Sequence, residues 1–221
     1  GEKVDIRDIS IDDMIAYIQS SLQVNGFHVK FLRVDPNGWT YKSIFNKILE
    51  YEALGYQVEI LALDYLHKLP TTGCTIGPAG TDVMDMLSRV KNFCASKGIV
   101  LLNNHQLSTE AKNLLRSGIP EDMFVKELVG RGYFEGSKGL DRIYDGGILF
   151  HKFKHEKNTY FAVQLDKHRF PTVAPDDLRF YMMMFPKNMM PIPHNTEGRY
   201  TSFKKLSAAN TNASEELFAF G

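Results

Sequence analysis

An aspartate that closes an apolar run, Glu59-Ile60-Leu61-Ala62-Leu63-Asp64-Tyr65-Leu66, is the pattern in this chain best suited to chemistry. A carboxylate at the mouth of a buried strand can hold the water shell of Mg²⁺ beside bound phosphates, although the same pattern arises where an aspartate only caps the next turn. A second apolar run, Ile99-Val100-Leu101-Leu102, also ends in polar side chains, Asn103 to Gln106. Lys167-His168-Arg169 closes a third, and strand alternation puts Lys167 and Arg169 on one face. Such a fork can meet phosphate, or it can simply keep an exposed strand end soluble.

Other candidates fail on spacing. No Gly-x-x-x-x-Gly-Lys-[Ser/Thr] phosphate loop occurs, and its nearest approach, residues 132–138, is one residue short with Ser137 and Lys138 reversed. Gly130-Arg131-Gly132 begins like a dinucleotide fingerprint, but Glu135 stands where a third glycine is needed. His151 and His155 could share a metal, yet Lys152, Lys154 and Lys157 surround them and alternation sends Glu156 to the opposite side, so a solvated hairpin fits better. Cys74 and Cys94 are too far apart for a metal knuckle.

The elements that must position these residues follow from periodicity. Ser10 and Asp13 form a capping box ahead of a helix carrying Ile11, Met14, Ile15, Ile18 and Leu22. Phe27, Val29 and Phe31 alternate as a strand, stopped by the turn cluster Asp35-Pro36-Asn37-Gly38, after which Thr40 caps a helix that closes at Gly55. Residues 58–63 are nearly all apolar, the mark of a strand buried on both faces and hence of a parallel sheet. A Gly, Thr and Pro-rich loop over residues 71–81 leads into a helix with Val83, Met86, Leu87, Val90, Phe93 and Cys94 inward, and then to the run at 99–102. The result is a βαβ unit whose ligand site lies at the C-terminal ends of its strands. A polar helix over 109–116 and a glycine-rich loop follow. Next comes a hairpin of residues 148–150 and 160–165 joined by the charged stretch 151–158. From Pro171 onward the prolines and Met-rich sequence suggest a loosely packed tail.

Composition limits the functions open to this architecture. With 221 residues, 43% of them hydrophobic, the chain can build one sizeable core and needs no disulfide framework. Lys+Arg 26 balance Asp+Glu 26, so a global charge cannot bind nucleic acid or an anionic membrane, and any such contact requires a local patch. Two cysteines fit a reducing compartment, no leader pattern opens the chain, and no stretch approaches the ~18 apolar residues of a membrane span.

Taken in order, residues 31–171 resemble the C-terminal ATPase domain of DnaB-like replicative helicases. Val34-Asp35-Pro36-Asn37-Gly38-Trp39-Thr40 is similar to the strand, turn and capped helix ahead of that family's acid-tipped strand, and residues 60–69 resemble its Walker B segment. His105-Gln106-Leu107 resembles a serine-glutamine-leucine that ends the next strand, with histidine in place of serine. Residues 127–135 resemble a loop of which Leu128, Gly132 and Glu135 are kept, whereas Val129 stands at its arginine position and Arg131 lies two residues on. Lys167-His168-Arg169 matches a lysine-x-arginine that reaches a neighbouring subunit's nucleotide.

The resemblance implies an α/β, RecA-like three-layer fold with a mostly parallel central sheet. Residues 1–172 would form a partial domain truncated at its N-terminal side, and residues 173–221 a partly irregular extension. It implies ATP and Mg²⁺ as cofactors, with Asp64 on the metal, Gln106 sensing the γ-phosphate, and Arg169 acting as a finger in trans assisted by Lys167. Gly130, Arg131, Gly132 and Lys138, with the loop 71–81, would line a channel of a hexameric ring that tracks single-stranded DNA without reading bases. A primase or helicase loader as partner and a cytoplasmic site at the replication fork complete the expectation, a viral protein in a bacterial host included. The family's phosphate loop and catalytic glutamate have no counterpart here. Either the chain is the C-terminal piece of a longer helicase, as its opening at Gly1 in mid-domain suggests, or it is an inactive scaffold. The first is preferred because Gln106, Lys167 and Arg169 would have little to do in a dead enzyme. A recombinase or clock-type ATPase would share the acid-tipped strand but matches residues 127–135 less well.

Overall fold

Ser10 opens the first helix as its spacing requires: its Oγ accepts the Asp13 amide at 3.0 Å and donates to Asp13 Oδ2 at 2.7 Å. This helix, α1 (Ile11–Gln23), belongs to one of two compact units, Gly1–Gly38 and Trp39–Gly221. The computed structural model describes residues 9–23, 26–137, 139–169, 180–185 and 192–193. Residues 27–35 are irregular, because the alternation of Phe27, Val29 and Phe31 finds no strand to pair with among the described residues, and Phe27 and Phe31 stay exposed. Asp35 Oδ1 accepts the Asn37 amide at 2.9 Å and makes the expected turn.

In the second unit, Ser43 Oγ accepts the Thr40 amide at 3.1 Å at the start of α2 (Tyr41–Ala53). Strand β1 (Ile60–Leu63), helix α3 (Thr81–Ser96) and strand β2 (Val100–Asn103) then form the expected βαβ unit, with β1 and β2 parallel. Leu61, Leu63 and Leu101 turn toward α2 and α3 and pack on Ile44, Ile48, Met86 and Val90. The other face of the pair departs from the expectation of burial on both sides. Ile60, Val100 and Leu102 are 60%, 56% and 54% exposed, since no described element covers them. An unbroken apolar run reports that both faces are apolar, and only one of them is occupied here.

The second core lies under a four-stranded antiparallel sheet of order β3 (Gly146–His155), β4 (Asn158–His168), β5 (Phe180–Phe185) and β6 (Ile192–Pro193). Helices α4 (Thr109–Arg116) and α5 (Phe124–Leu128) supply its cover. Ala111, Phe124 and Val125 meet the inward residues Leu149, Phe153, Tyr160, Ala162, Phe180 and Met182. The strands are α/β partners of unequal kind: one parallel pair precedes Gly146, and the pairs after it are antiparallel.

Two local expectations are corrected by the sheet. The charged stretch 151–158 is strand almost throughout, because His151 and Phe153 point inward while Lys152 and Lys154 point outward, leaving only Glu156 and Lys157 as the turn between paired His155 and Asn158. Residues 180–185 are not loosely packed: Phe180 and Met182 alternate inward at 1% and 0% exposure and pair with Gln164 and Ala162. Three consecutive methionines hide that alternation, since their chemistry does not distinguish inward from outward positions. Phe180→Ala should therefore cost about 3–5 kcal/mol and lower the urea midpoint with little change in slope; a change within about 0.5 kcal/mol, as at a loose surface position, would contradict this placement.

Candidate functional site

Parallel pairing matches Leu63 with Asn103, so both chains leave the sheet at the same level and in the same direction. The Asn104 amide donates to the Leu63 carbonyl at 3.1 Å and its Nδ2 donates to Asp64 Oδ1 at 3.2 Å. Asn103 Oδ1 accepts the Leu66 amide at 3.1 Å, and Gln106 Nε2 donates to the Tyr65 hydroxyl at 2.9 Å. Asp64 and Gln106, singled out separately in the sequence, thus stand at one end of one strand pair, joined through Asn104 and Tyr65. The Asp64–Tyr65 peptide is cis. Both Asp64 and Gln106 are exposed and reachable by a solute.

The segment after β2 is fastened to the glycine-rich loop. Its Gln106 carbonyl accepts the Glu135 amide at 2.9 Å, Ser108 donates its amide to the Tyr133 carbonyl at 2.8 Å, and Leu107 bridges Phe134. His105 reinforces the tie, its Nε2 donating to the Glu135 carbonyl at 2.6 Å. A row of rings then runs from Tyr65 to His67 (5.3 Å between centroids), His105 (4.5 Å), Phe134 (5.8 Å) and Tyr144 (5.7 Å). Neither ring nitrogen of His67 has a hydrogen-bond partner among the described residues. Burial holds both imidazoles below their ordinary 6.5, and for His67 the neighbouring His105 and Lys68 add to the effect.

At the far end of this row, Asp166 joins two elements. Its Oδ2 accepts the Tyr144 hydroxyl at 2.5 Å and its Oδ1 the Gly130 amide at 2.9 Å. Burial, then the Asp166 hydrogen bond, pushes the Tyr144 hydroxyl well above the usual phenol range. Lys167 is half-buried, with Nζ 5.2 Å from the Tyr144 ring centroid and donating to the Asp141 carbonyl. Arg169 is exposed: it lies 3.5 Å from Asp145 Oδ1 and donates to the Arg142 carbonyl at 3.2 Å, while Lys91 holds the same Asp145 oxygen at 2.7 Å. No hydrogen bond or ring contact joins Lys167 or Arg169 directly to Asp64 or Gln106 among the described residues; the connection runs through Phe134 and Tyr144.

Of the residues expected to face DNA, Gly130 spends its amide on Asp166, Gly132 is buried, and Arg131 is exposed with Glu127 at 3.5 Å. Lys138 lies outside the described residues. The two loops expected to act together do meet: Gly80, at φ +76°, lies so close to Gly136 that a Cβ on it would overlap the Gly136 carbonyl oxygen. Sequence reading passed over Asn104, Tyr144 and Asp166 as individual residues. The polar run 103–106 contained a signal for the first; nothing local marks the other two, whose partners are remote in the chain.

Mg²⁺ keeps several waters and takes one or two carboxylates together with substrate phosphates. Asp64 suits that role, since Asn104 occupies one carboxylate oxygen and the other carries no hydrogen bond from a described residue. No group of three or more His, Cys, Asp or Glu side chains is placed to hold a metal by itself among the described residues. His151 instead packs on Phe124 and Phe153 and lies 3.4 Å from Glu121 Oε2. No helix among the described residues is long and apolar enough to cross a membrane.

An acid and an amide side chain presented together where two parallel strands end is the arrangement of an α/β protein with its ligand site at the strand C-termini. The family model for divergent DnaB-like ATPases matches residues 1–215, and the chain belongs to that family. Comparison with curated proteins gives no match.

The His67–His105 contact has a stability consequence. Groups with folded-state pKa values lowered below 6.5 bind fewer protons folded than unfolded, so their contribution is complete above 6.5 and is lost as the pH falls from there toward their folded values. Unfolding midpoints should drop between pH 7 and pH 5.5, and His67→Phe should flatten the drop. Asp85 and Asp145, held below their ordinary 3.8 by Arg89 and Lys91 respectively, act in a separate and more acidic window. An unchanged pH slope in His67→Phe would remove the assignment.

Proposed function

We propose that this chain is the acid-and-sensor part of an ATP-dependent replicative helicase motor, a RecA-like three-layer domain that works in a hexameric ring on single-stranded DNA in the cytoplasm. The observation that carries the reading is the shared exit of Asp64 and Gln106 from adjacent parallel strands, tied by two backbone hydrogen bonds to the loop at 133–135. Asp64 would hold Mg²⁺ on the triphosphate. Gln106 would contact the γ-phosphate, and any shift of its backbone would pull directly on Glu135 and so on the loop that leads to Arg131 and Gly130. Arg169 would reach a neighbouring copy's nucleotide, exchanging its Asp145 contact for the phosphates, and Lys167 would brace the same strand end. The open apolar face of Ile60, Val100 and Leu102 supports a further covering layer, as parallel sheets are ordinarily covered on both faces.

The triphosphate cradle itself would come from a phosphate loop outside these 221 residues. A primase or loader would engage the same ring. A second reading, an inactive scaffold that docks on a helicase, is favoured by one observation: the Lys167 ammonium and the Arg169 guanidinium are both already satisfied within their own chain.

Hydrolysis separates the two readings. The chain alone should release no phosphate from ATP. In the complete ATPase, Arg169→Ala should lower DNA-stimulated hydrolysis by about 10³-fold, the range known for arginine fingers, with nucleotide binding retained. Asp64→Asn should abolish Mg²⁺-dependent turnover. Unchanged hydrolysis in Arg169→Ala would remove the trans finger, and unchanged hydrolysis in both variants would favour the scaffold.

A further inference from the structure

The face of the antiparallel sheet turned away from α4 and α5 has no role in the ATPase reading and does not depend on it. Its side chains follow from alternation: Ile148, Phe150, Lys152 and Lys154 on β3, Phe161, Val163 and Leu165 on β4, Tyr181 and Met183 on β5. The register lines up Phe150 with Val163 and Tyr181, and Lys152 with Phe161 and Met183. Phe150 and Phe161 stack diagonally across the strand pair, centroids 5.2 Å apart and planes within 13°. Ile148 is 55% and Phe150 52% exposed, both on the edge strand β3.

Charge selects the occupant. No carboxylate lies on this face among the described residues, and neither Lys152 nor Lys154 has an ion-pair partner among them. The exposed Phe150 ring and the half-buried Phe161 and Tyr181 rings beside it offer surface for stacking, and the lysines along the same edge strand offer cations for a polyanion. A second copy that set its own lysine row over this one would be repelled, so charge favours a polyanion on this face. Duplex DNA keeps its base faces stacked inside and cannot use the rings. We propose that the outer face of β3–β4–β5 binds single-stranded nucleic acid, bases on Phe150, Phe161 and Tyr181 and phosphates along Lys152 and Lys154, as a site separate from the loop around Arg131.

The test uses the full 221-residue chain and a fluorescein-labelled oligo(dT) 20-mer, read by anisotropy between 50 and 200 mM NaCl. Phe150→Ala should weaken binding on the order of tenfold, since base stacking on an aromatic is worth ~1–3 kcal/mol, and Phe150→Trp should retain it. Lys152→Ala should lower the slope of log Kd against log salt by about 0.7, the single-strand value for one phosphate contact. In parallel, photo-crosslinking with 5-iododeoxyuridine-substituted oligomer should map to peptides containing Phe150, Phe161 or Tyr181. Unchanged affinity in Phe150→Ala, or crosslinks confined to residues 130–137, would overturn the proposal. So would a sedimentation shift from dimer to monomer in Phe150→Ala with oligomer binding intact, which would assign the face to a second copy. Arg131→Ala reports on the channel loop and leaves the sheet-face arm unaffected, so failure of one reading is distinguishable from failure of the other.

Discussion

Parallel pairing of β1 with β2, in a register that matches Leu63 to Asn103, is the constraint on which the site depends. A parallel pair ends with both chains pointing the same way, so the polar residues that follow have nowhere to go but one common mouth. Antiparallel pairing of the same two runs would send Asp64 and Gln106 to opposite ends of the sheet. The pairing is itself enforced by α3, whose buried Met86, Leu87, Val90 and Cys94 need the inward leucines of both strands as their floor. Packing of an apolar helix stripe therefore fixes the position of an exposed carboxylate.

From that mouth the contacts run outward in a definite order. Backbone hydrogen bonds join the Gln106 segment to residues 133–135, rings continue to Tyr144, and Asp166 closes the circuit by holding both Tyr144 and the Gly130 amide. A carboxylate that accepts from a half-buried hydroxyl and a loop amide at once holds loop and strand end together. Lys167 sits on the same ring, which places the basic strand end within the circuit. The chain belongs to the divergent DnaB-like ATPase family.

Much of this was legible in the sequence, and the limits have physical causes. The apolar runs ending in Asp64 and in Asn103 to Gln106 announced a βαβ unit, and the 3.6 spacing of Met86, Val90 and Cys94 placed α3 with its correct face inward. The cap at Ser10 marked a helix start because capping is local chemistry, a hydroxyl answering an amide three residues on. Alternation failed where chemistry is degenerate, as in the Met182-Met183-Met184 run of β5, and where a pattern needs a neighbour that the described residues do not supply, as at residues 27–31. Burial on both faces of β1 and β2 was inferred from apolar character alone, and apolar character does not say whether a covering layer is present. Asp166 and Tyr144 carried no signal because each gains its meaning from a partner many residues away.

The central claim is that events at the Gln106 end are transmitted to the loop through the hydrogen bond from the Glu135 amide to the Gln106 carbonyl. Amide hydrogen exchange in the complete ATPase, compared with and without a non-hydrolysable ATP analogue and Mg²⁺, reads that bond directly. The account predicts that the Glu135 and Gly130 amides change protection together when nucleotide binds. Protection that changes around Asp64 while both of those amides exchange as before would contradict it.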